Sequence, residues 1–148
     1  MMNGQAYHTS ITVAAGTHEA FDRICNVTAW WTENLEGSTQ QLNDEFAVRF
    51  GDVHFSRQKL IEVMPGKKLV WLVTDSNLNF IANRQEWTNT KICFELVELG
   101  DKTRIEFTHI GLLPAVECYD ACSNAWSQYL HQSLLNLINT GVGMPTLK

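Results

Sequence analysis

Apolar and β-branched residues alternate from Tyr7 to Val13, with Tyr7, Thr9, Ile11 and Val13 on one side of the chain. A period of two predicts an opening strand, because successive strand side chains point to opposite faces. Ala14-Ala15-Gly16-Thr17 predicts a turn into a helix. Thr17 is the expected N-cap, Glu19 falls in the favourable first turn, and Ala20, Phe21 and Ile24 form the apolar face. A second short helix is expected to carry Trp30 and Trp31 until Glu36-Gly37-Ser38 breaks it. Adjacent helical residues diverge by about 100°, so one tryptophan is expected in the core and the other at a cavity mouth.

The period of two returns in the middle of the chain. Residues 46–50 read as a strand ending at Gly51-Asp52, and residues 53–63 as another. Met64-Pro65-Gly66-Lys67 fits a type II turn, since Pro fixes φ and Gly accepts a positive φ. Residues 69–74 follow as an apolar strand containing Trp71, whereas residues 75–86 show no clear period and are expected to be a loop with a weak strand or an irregular section. The clearest hairpin joins residues 91–99 to 103–109 through Gly100-Asp101. Ile92, Phe94 and Leu96 share one face of its first strand; Ile105, Phe107 and His109 share one face of its second.

After Gly111 and Pro114 the spacing changes to three and four. A long helix is expected from about Ala115 or Val116 to a stop at Gly141, with Tyr119, Cys122, Trp126, Leu130, Ser133 and Leu137 on one stripe. The elements predict an α+β helix-grip fold. It has a curved antiparallel sheet of about six or seven strands, two short helices near the N-terminus and a long C-terminal helix packed over the sheet.

Composition narrows the partners. A chain of 148 residues, 45% hydrophobic and 18% charged, suits one folded unit and disfavours disorder. The net charge of −5, with dispersed basic residues, argues against a nucleic-acid partner. No apolar run reaches the ~20 residues of a membrane span. The N-terminal residues lack a secretory pattern, so a reduced cytoplasmic setting is expected, with Cys25, Cys93, Cys118 and Cys122 as free thiols.

Several segments resemble the activator of heat-shock-protein-90 ATPase homologue family, within the START-like (SRPBCC, birch-pollen-allergen-like) superfamily. The resemblance rests on residues 62–71 around Pro65-Gly66, on Trp87 followed by residues 90–96, and on residues 102–111. It continues in Ala125-Trp126 with Leu130, Leu134 and Leu137. The family usually has Gly where this chain has Ala125, a change expected to bear on how closely the helix approaches the sheet. The resemblance implies residues 1–148 as a single START-like domain. It also implies a hydrophobic or amphipathic small molecule held under the last helix. A chaperone contact is suggested by the family name alone, and the chain has no room for the second domain of eukaryotic co-chaperones. Homodimerisation is a further partnership left open.

The cavity candidates follow from the sheet face and the helix stripe: Trp31, His54, Trp71, Phe94, Phe107, His109, Tyr119, Trp126, Leu130 and Ser133. His109 is either a polar group orienting a ligand or a structural histidine bonded to backbone. Trp126 either lines a pocket or packs in the core, with Tyr119 and Ser133 as polar handles. Cys118 and Cys122 lie four apart but have no matching Cys/His pair, so they read as ordinary reduced cysteines and no metal site is expected. No Ser-His-Asp pattern, phosphate loop or dinucleotide fingerprint is present, and no cofactor is expected. Catalytic residues are not identified; His54 and His109 are the acid/base candidates of a cyclase- or hydrolase-like alternative. Ligand binding without catalysis is the favoured reading.

Overall fold

The expected opening strand is β1 (Tyr7–Val13), with Ile11 and Val13 buried. It leads into α1 (Thr17–Cys25), which buries Ala20, Phe21, Ile24 and Cys25. Thr17 is not the cap. Gly16 occupies that position without a side-chain hydrogen bond, and its carbonyl already accepts the Ala20 N–H at 3.0 Å. The computed structural model describes residues 5–147; residues 1–4, on which part of the case against a secretory signal rests, lie outside them, as does residue 148.

The second short helix is reduced to a 3-10 turn over Val27–Ala29, and Trp30 and Trp31 follow it. β-Branched Val27 and Thr28 resist helix propagation. The Trp30 indole N–H also donates to Ile24 O at 3.0 Å, folding the chain back on the end of α1. Glu36 and Gly37 do not break a helix but belong to a short strand, β2 (Leu35–Gly37).

Five longer strands complete the sheet: β3 (Glu45–Phe50), β4 (His54–Met64), β5 (Lys68–Leu78), β6 (Lys91–Leu99) and β7 (Lys102–Ile110). The order is β1-β7-β6-β5-β4-β3-β2, with every neighbouring pair antiparallel. Gly66, at φ +76°, supplies the positive φ that the β4–β5 turn requires. Two register shifts between β4 and β5, at Arg57/Gln58 and Leu60/Glu62, bend the sheet toward the helix. β5 runs on to Leu78, beyond the expected end at Thr74. Its apolar alternation lapses because the buried face turns polar: Ser56 lies opposite Ser76, whose hydroxyl is 2.8 Å from Thr88 Oγ1.

The concave face buries the residues expected to share it. Ile92, Phe94 and Leu96 stand opposite His109, Phe107 and Ile105, and all six are buried. The C-terminal helix covers them. It begins at Tyr119, later than expected, as α2 (Tyr119–Gln128), passes through a π-helical turn (Tyr129–Leu134) and ends as α3 (Leu135–Thr140). Gly141, at φ +88°, stops it. The π turn inserts an extra residue into the stripe, so Ser133 and Leu134 are buried together, as are Leu137 and Ile138. No helix among the described residues is long and apolar enough to cross a membrane.

Candidate functional site

All five tryptophans of the chain are buried and touch one another in a single array. Trp31 is central to it, stacking on Trp30, Trp71 and Trp126 at centroid distances of 6.3, 5.8 and 4.9 Å. Trp87 stacks on the other side of Trp126 at 5.9 Å. Phe94 and Phe107 meet edge to face at 5.2 Å, and Phe107 lies 4.7 Å from Trp126. Rings at these separations fill the space between sheet and helix and stabilise one another beyond their burial. The middle of the expected cavity is therefore core.

One end stays open. A chamber of about 220 Å³ lies between α2 and the ends of β3 and β4. Its wall closes on itself as a ring of rings: Trp31 to Phe50 at 5.5 Å, Phe50 to His54 at 4.9 Å, His54 to Trp87 at 4.6 Å, then Trp126 and back to Trp31. Tyr129, Phe80, Cys122, Ala121 and Ala125 complete the lining. Ala125 is exposed at this opening, so the substitution for Gly bears on the chamber mouth rather than on the approach of helix to sheet.

Two carboxylates hold the chamber together. Glu86, from the β5–β6 connection, accepts the backbone N–H groups of Glu117 and Cys118 at 2.9 and 3.0 Å. In return Glu117 accepts those of Ala82 and Asn83 at 3.2 and 2.9 Å. A helix start leaves N–H groups unpaired and favours negative charge, so Glu86 caps α2 from outside it. The clamp delays the helix to Tyr119 and ties the segment carrying Phe80 and Trp87 to it.

The C-terminal tail fixes the opposite wall. Thr146 N–H donates to Trp31 O at 3.0 Å and Thr146 O accepts from Glu33 N–H at 2.9 Å. Ser133 takes part in this anchorage rather than serving as a handle inside the chamber. Its hydroxyl donates to Trp30 O and accepts from Met144 N–H, both at 2.7 Å.

His109 is fully buried with both ring nitrogens occupied. Trp126 Nε1–H donates to Nδ1 at 3.0 Å, which leaves the imidazole proton on Nε2, donated to Thr90 Oγ1 at 2.9 Å. Burial, aided by the neighbouring His54, pushes its pKa down to about 3, so the ring is neutral at ordinary pH. This is a structural histidine, although its partners are side chains instead of the expected backbone.

His54 differs, because it borders the chamber. Gln58 Nε2–H donates to Ser56 Oγ at 2.5 Å, leaving the Ser56 proton for His54 Nε2, 2.9 Å away. His54 then carries its own proton on Nδ1, the nitrogen with no protein hydrogen bond among the described residues. Burial lowers its pKa to about 3 as well.

The structure thus brings Trp31, His54 and Trp126 together at the chamber. Trp71, Phe94, Phe107 and Leu130 pack in the core behind it, and Tyr119 is half-buried outside the lining. Phe50, Phe80, Trp87, Cys122 and Tyr129 were missed by the sequence reading as wall residues. Trp87 carries part of the family resemblance and Cys122 lies on the predicted stripe, whereas Phe80 sits in the segment without period. Among the described residues no group of three or more His, Cys, Asp or Glu side chains could hold a metal ion.

No protein-family model matches the sequence, and no curated protein matches it. Solved structures do. The Aha1 dimer of Colwellia psychrerythraea is 21% identical, with a TM-score of 0.75 over 92% of this chain and 97% of that one. DynU16, a putative protein in the dynemicin biosynthetic locus, is 14% identical with a TM-score of 0.69 over 97% of this chain, which spans only 51% of DynU16. CalU16 of Micromonospora echinospora is 15% identical with a TM-score of 0.64, covering 88% of this chain and 73% of that one. At these identities the likeness is one of fold, and the chain has the helix-grip fold that its resemblance to the Aha1 homologues implies.

Proposed function

We propose that the protein binds a small hydrophobic or amphipathic molecule in the chamber between the sheet and α2, with residues 1–148 acting as one START-like unit. The supporting observation is the wall itself: three tryptophans, two phenylalanines and a tyrosine, with His54 offering a single N–H. Apolar pockets with a few placed polar groups are the usual form of small-molecule sites. At about 220 Å³ the chamber lies below the roughly 300–1,000 Å³ of drug-sized sites, so the ligand is small, and flat molecules with one hydrogen-bond acceptor fit best.

Native mass spectrometry of the purified protein and titration with small aromatic ligands, followed by tryptophan emission, test this reading. Ala125→Trp, placed at the mouth, should abolish the response while leaving the fold intact. If no small aromatic or lipid-like compound binds the parent protein, the reading fails.

The acid/base alternative is weakened by the same geometry. His109 is engaged by Trp126 and Thr90, and a His54 that is neutral down to about pH 3 is a poor base at neutral pH. Homodimerisation and chaperone contact draw support only from the likeness to the Aha1 dimer, which concerns fold.

A further inference from the structure

We propose that the chamber selects flat, uncharged aromatic carbonyl compounds, and that Ser56 and Gln58, buried behind its wall, set that preference by fixing which nitrogen of His54 carries the proton. The inference rests on the chamber being a small-molecule site and adds what the ligand must present to it. His54, Ser56 and Gln58 alternate along β4 and share its concave face. Ser56 and Gln58 are fully buried, opposite Val48 and Phe46 of β3 and Ser76 and Val73 of β5. Most of those neighbours are apolar, and polar side chains in such a place cost stability unless every group is paired. Here one is not: Gln58 Oε1 has no hydrogen-bond partner.

The three side chains form a relay with a direction. Gln58 Nε2–H donates to Ser56 Oγ at 2.5 Å, and Ser56 Oγ lies 2.9 Å from His54 Nε2. Among the described residues the Ser56 hydroxyl has no other partner. If His54 donated from Nε2, Ser56 would accept twice and its own proton would be buried with nothing to receive it. Donation from Ser56 to Nε2 pairs that proton and leaves the imidazole proton on Nδ1. Each bond in such a chain polarises the next. Turned over, the carboxamide would put Oε1 on Ser56 and take its proton, and the chamber would meet a bare Nδ1. Gln58 therefore decides whether His54 offers the chamber a donor or an acceptor. His109, held by Trp126, has the opposite tautomer.

The rest of the wall agrees with a ligand that accepts and does not donate. Its indoles can only donate, the Cys122 thiol is a weak acceptor, and the Tyr129 hydroxyl is already engaged with Thr146 Oγ1. A ligand hydroxyl or amine would bring a proton with no good side-chain acceptor to meet it. No Asp, Glu, Lys or Arg lines the chamber, so a carboxylate or an ammonium group would lose its hydration without gaining a counter-ion. The aromatic wall matches a flat ring, and one N–H matches one carbonyl oxygen.

The test compares acetophenone with α-methylstyrene, which has the same shape but a methylene group in place of the carbonyl oxygen, and with benzoate. Affinities come from calorimetry, and the His54 tautomer from nitrogen NMR of isotope-labelled histidines. In the free parent protein His54 should carry its proton on Nδ1, and acetophenone but not α-methylstyrene should shift that resonance. His54→Phe, which also assigns the signal, should reduce the ratio of acetophenone to α-methylstyrene affinity about five- to tenfold, the worth of one hydrogen bond. Gln58→Met removes the unpaired acceptor along with the relay's first donor, so the variant should fold, show both His54 tautomers when free, and lose part of the preference. A parent His54 protonated on Nε2, a single unchanged tautomer in Gln58→Met, an unchanged ratio in His54→Phe, or benzoate binding as tightly as acetophenone would overturn the proposal and leave the chamber a ligand site. Binding of neither neutral compound would remove the underlying reading with it.

Discussion

At the scale of single residues, His109 shows how burial decides chemistry. Its imidazole accepts from Trp126 and donates to Thr90, an arrangement possible only for the neutral ring. Removing it in His109→Leu strands the buried Trp126 N–H, for an expected loss of about 1–3 kcal/mol in urea denaturation. The pH dependence follows from linkage. The folded protein resists protonation of His109 down to about pH 3, whereas the unfolded chain takes up the proton near its ordinary value of 6.5. Stability should therefore be flat above about pH 6.5 and fall as pH drops toward 3, with roughly 2–3 kcal/mol lost by about pH 4.5. His54, also lowered to about 3 by burial, adds a loss of the same sign over the same range. Denaturation at stepped pH checks this, and His109→Leu should make the fall shallower. The sequence placed His109 on the inner face of its strand correctly, but nothing in the spacing could say that Trp126, seventeen residues on, would meet its Nδ1.

Among the elements, strands were more legible than helix ends. Alternation marks β1, β3, β6 and β7 because each has one buried and one outer face, a signal local to the chain. It lapses in the second half of β5, where the buried face is polar. The start of α2 was invisible for another reason: its cap is Glu86, more than thirty residues upstream. Glu86→Gln should cost about 1–2 kcal/mol by weakening both capping bonds, and should raise hydrogen exchange at Glu117 and Cys118. The tail is equally contextual. A Cβ at Gly143 would stand 2.1 Å from Ala29 O, so Gly143→Ala should displace the tail from Trp31. The expected result is a Tm lower by a few degrees with little change in far-ultraviolet circular dichroism.

For the molecule as a whole, the helix-grip architecture was readable because one amphipathic helix had to cover one half-apolar sheet. The size and position of the site were not. They depend on how five indoles divide the interior, and sequence spacing carries no information about which rings meet across elements. Phe107→Ala should cost about 3–5 kcal/mol and leave a void behind Trp126, extending the chamber inward. An increased uptake of bulkier apolar dyes by this variant would mark the core and the chamber as one continuous space. The tryptophan array has an optical consequence too. Indoles stacked at these separations couple, so the protein should give an exciton couplet in the strong far-ultraviolet indole band and pass excitation from ring to ring before emission. Trp126 and Trp87 both line the chamber and so connect the array to it. A photon absorbed at Trp30 or Trp71 can then report an event at the far end of the array.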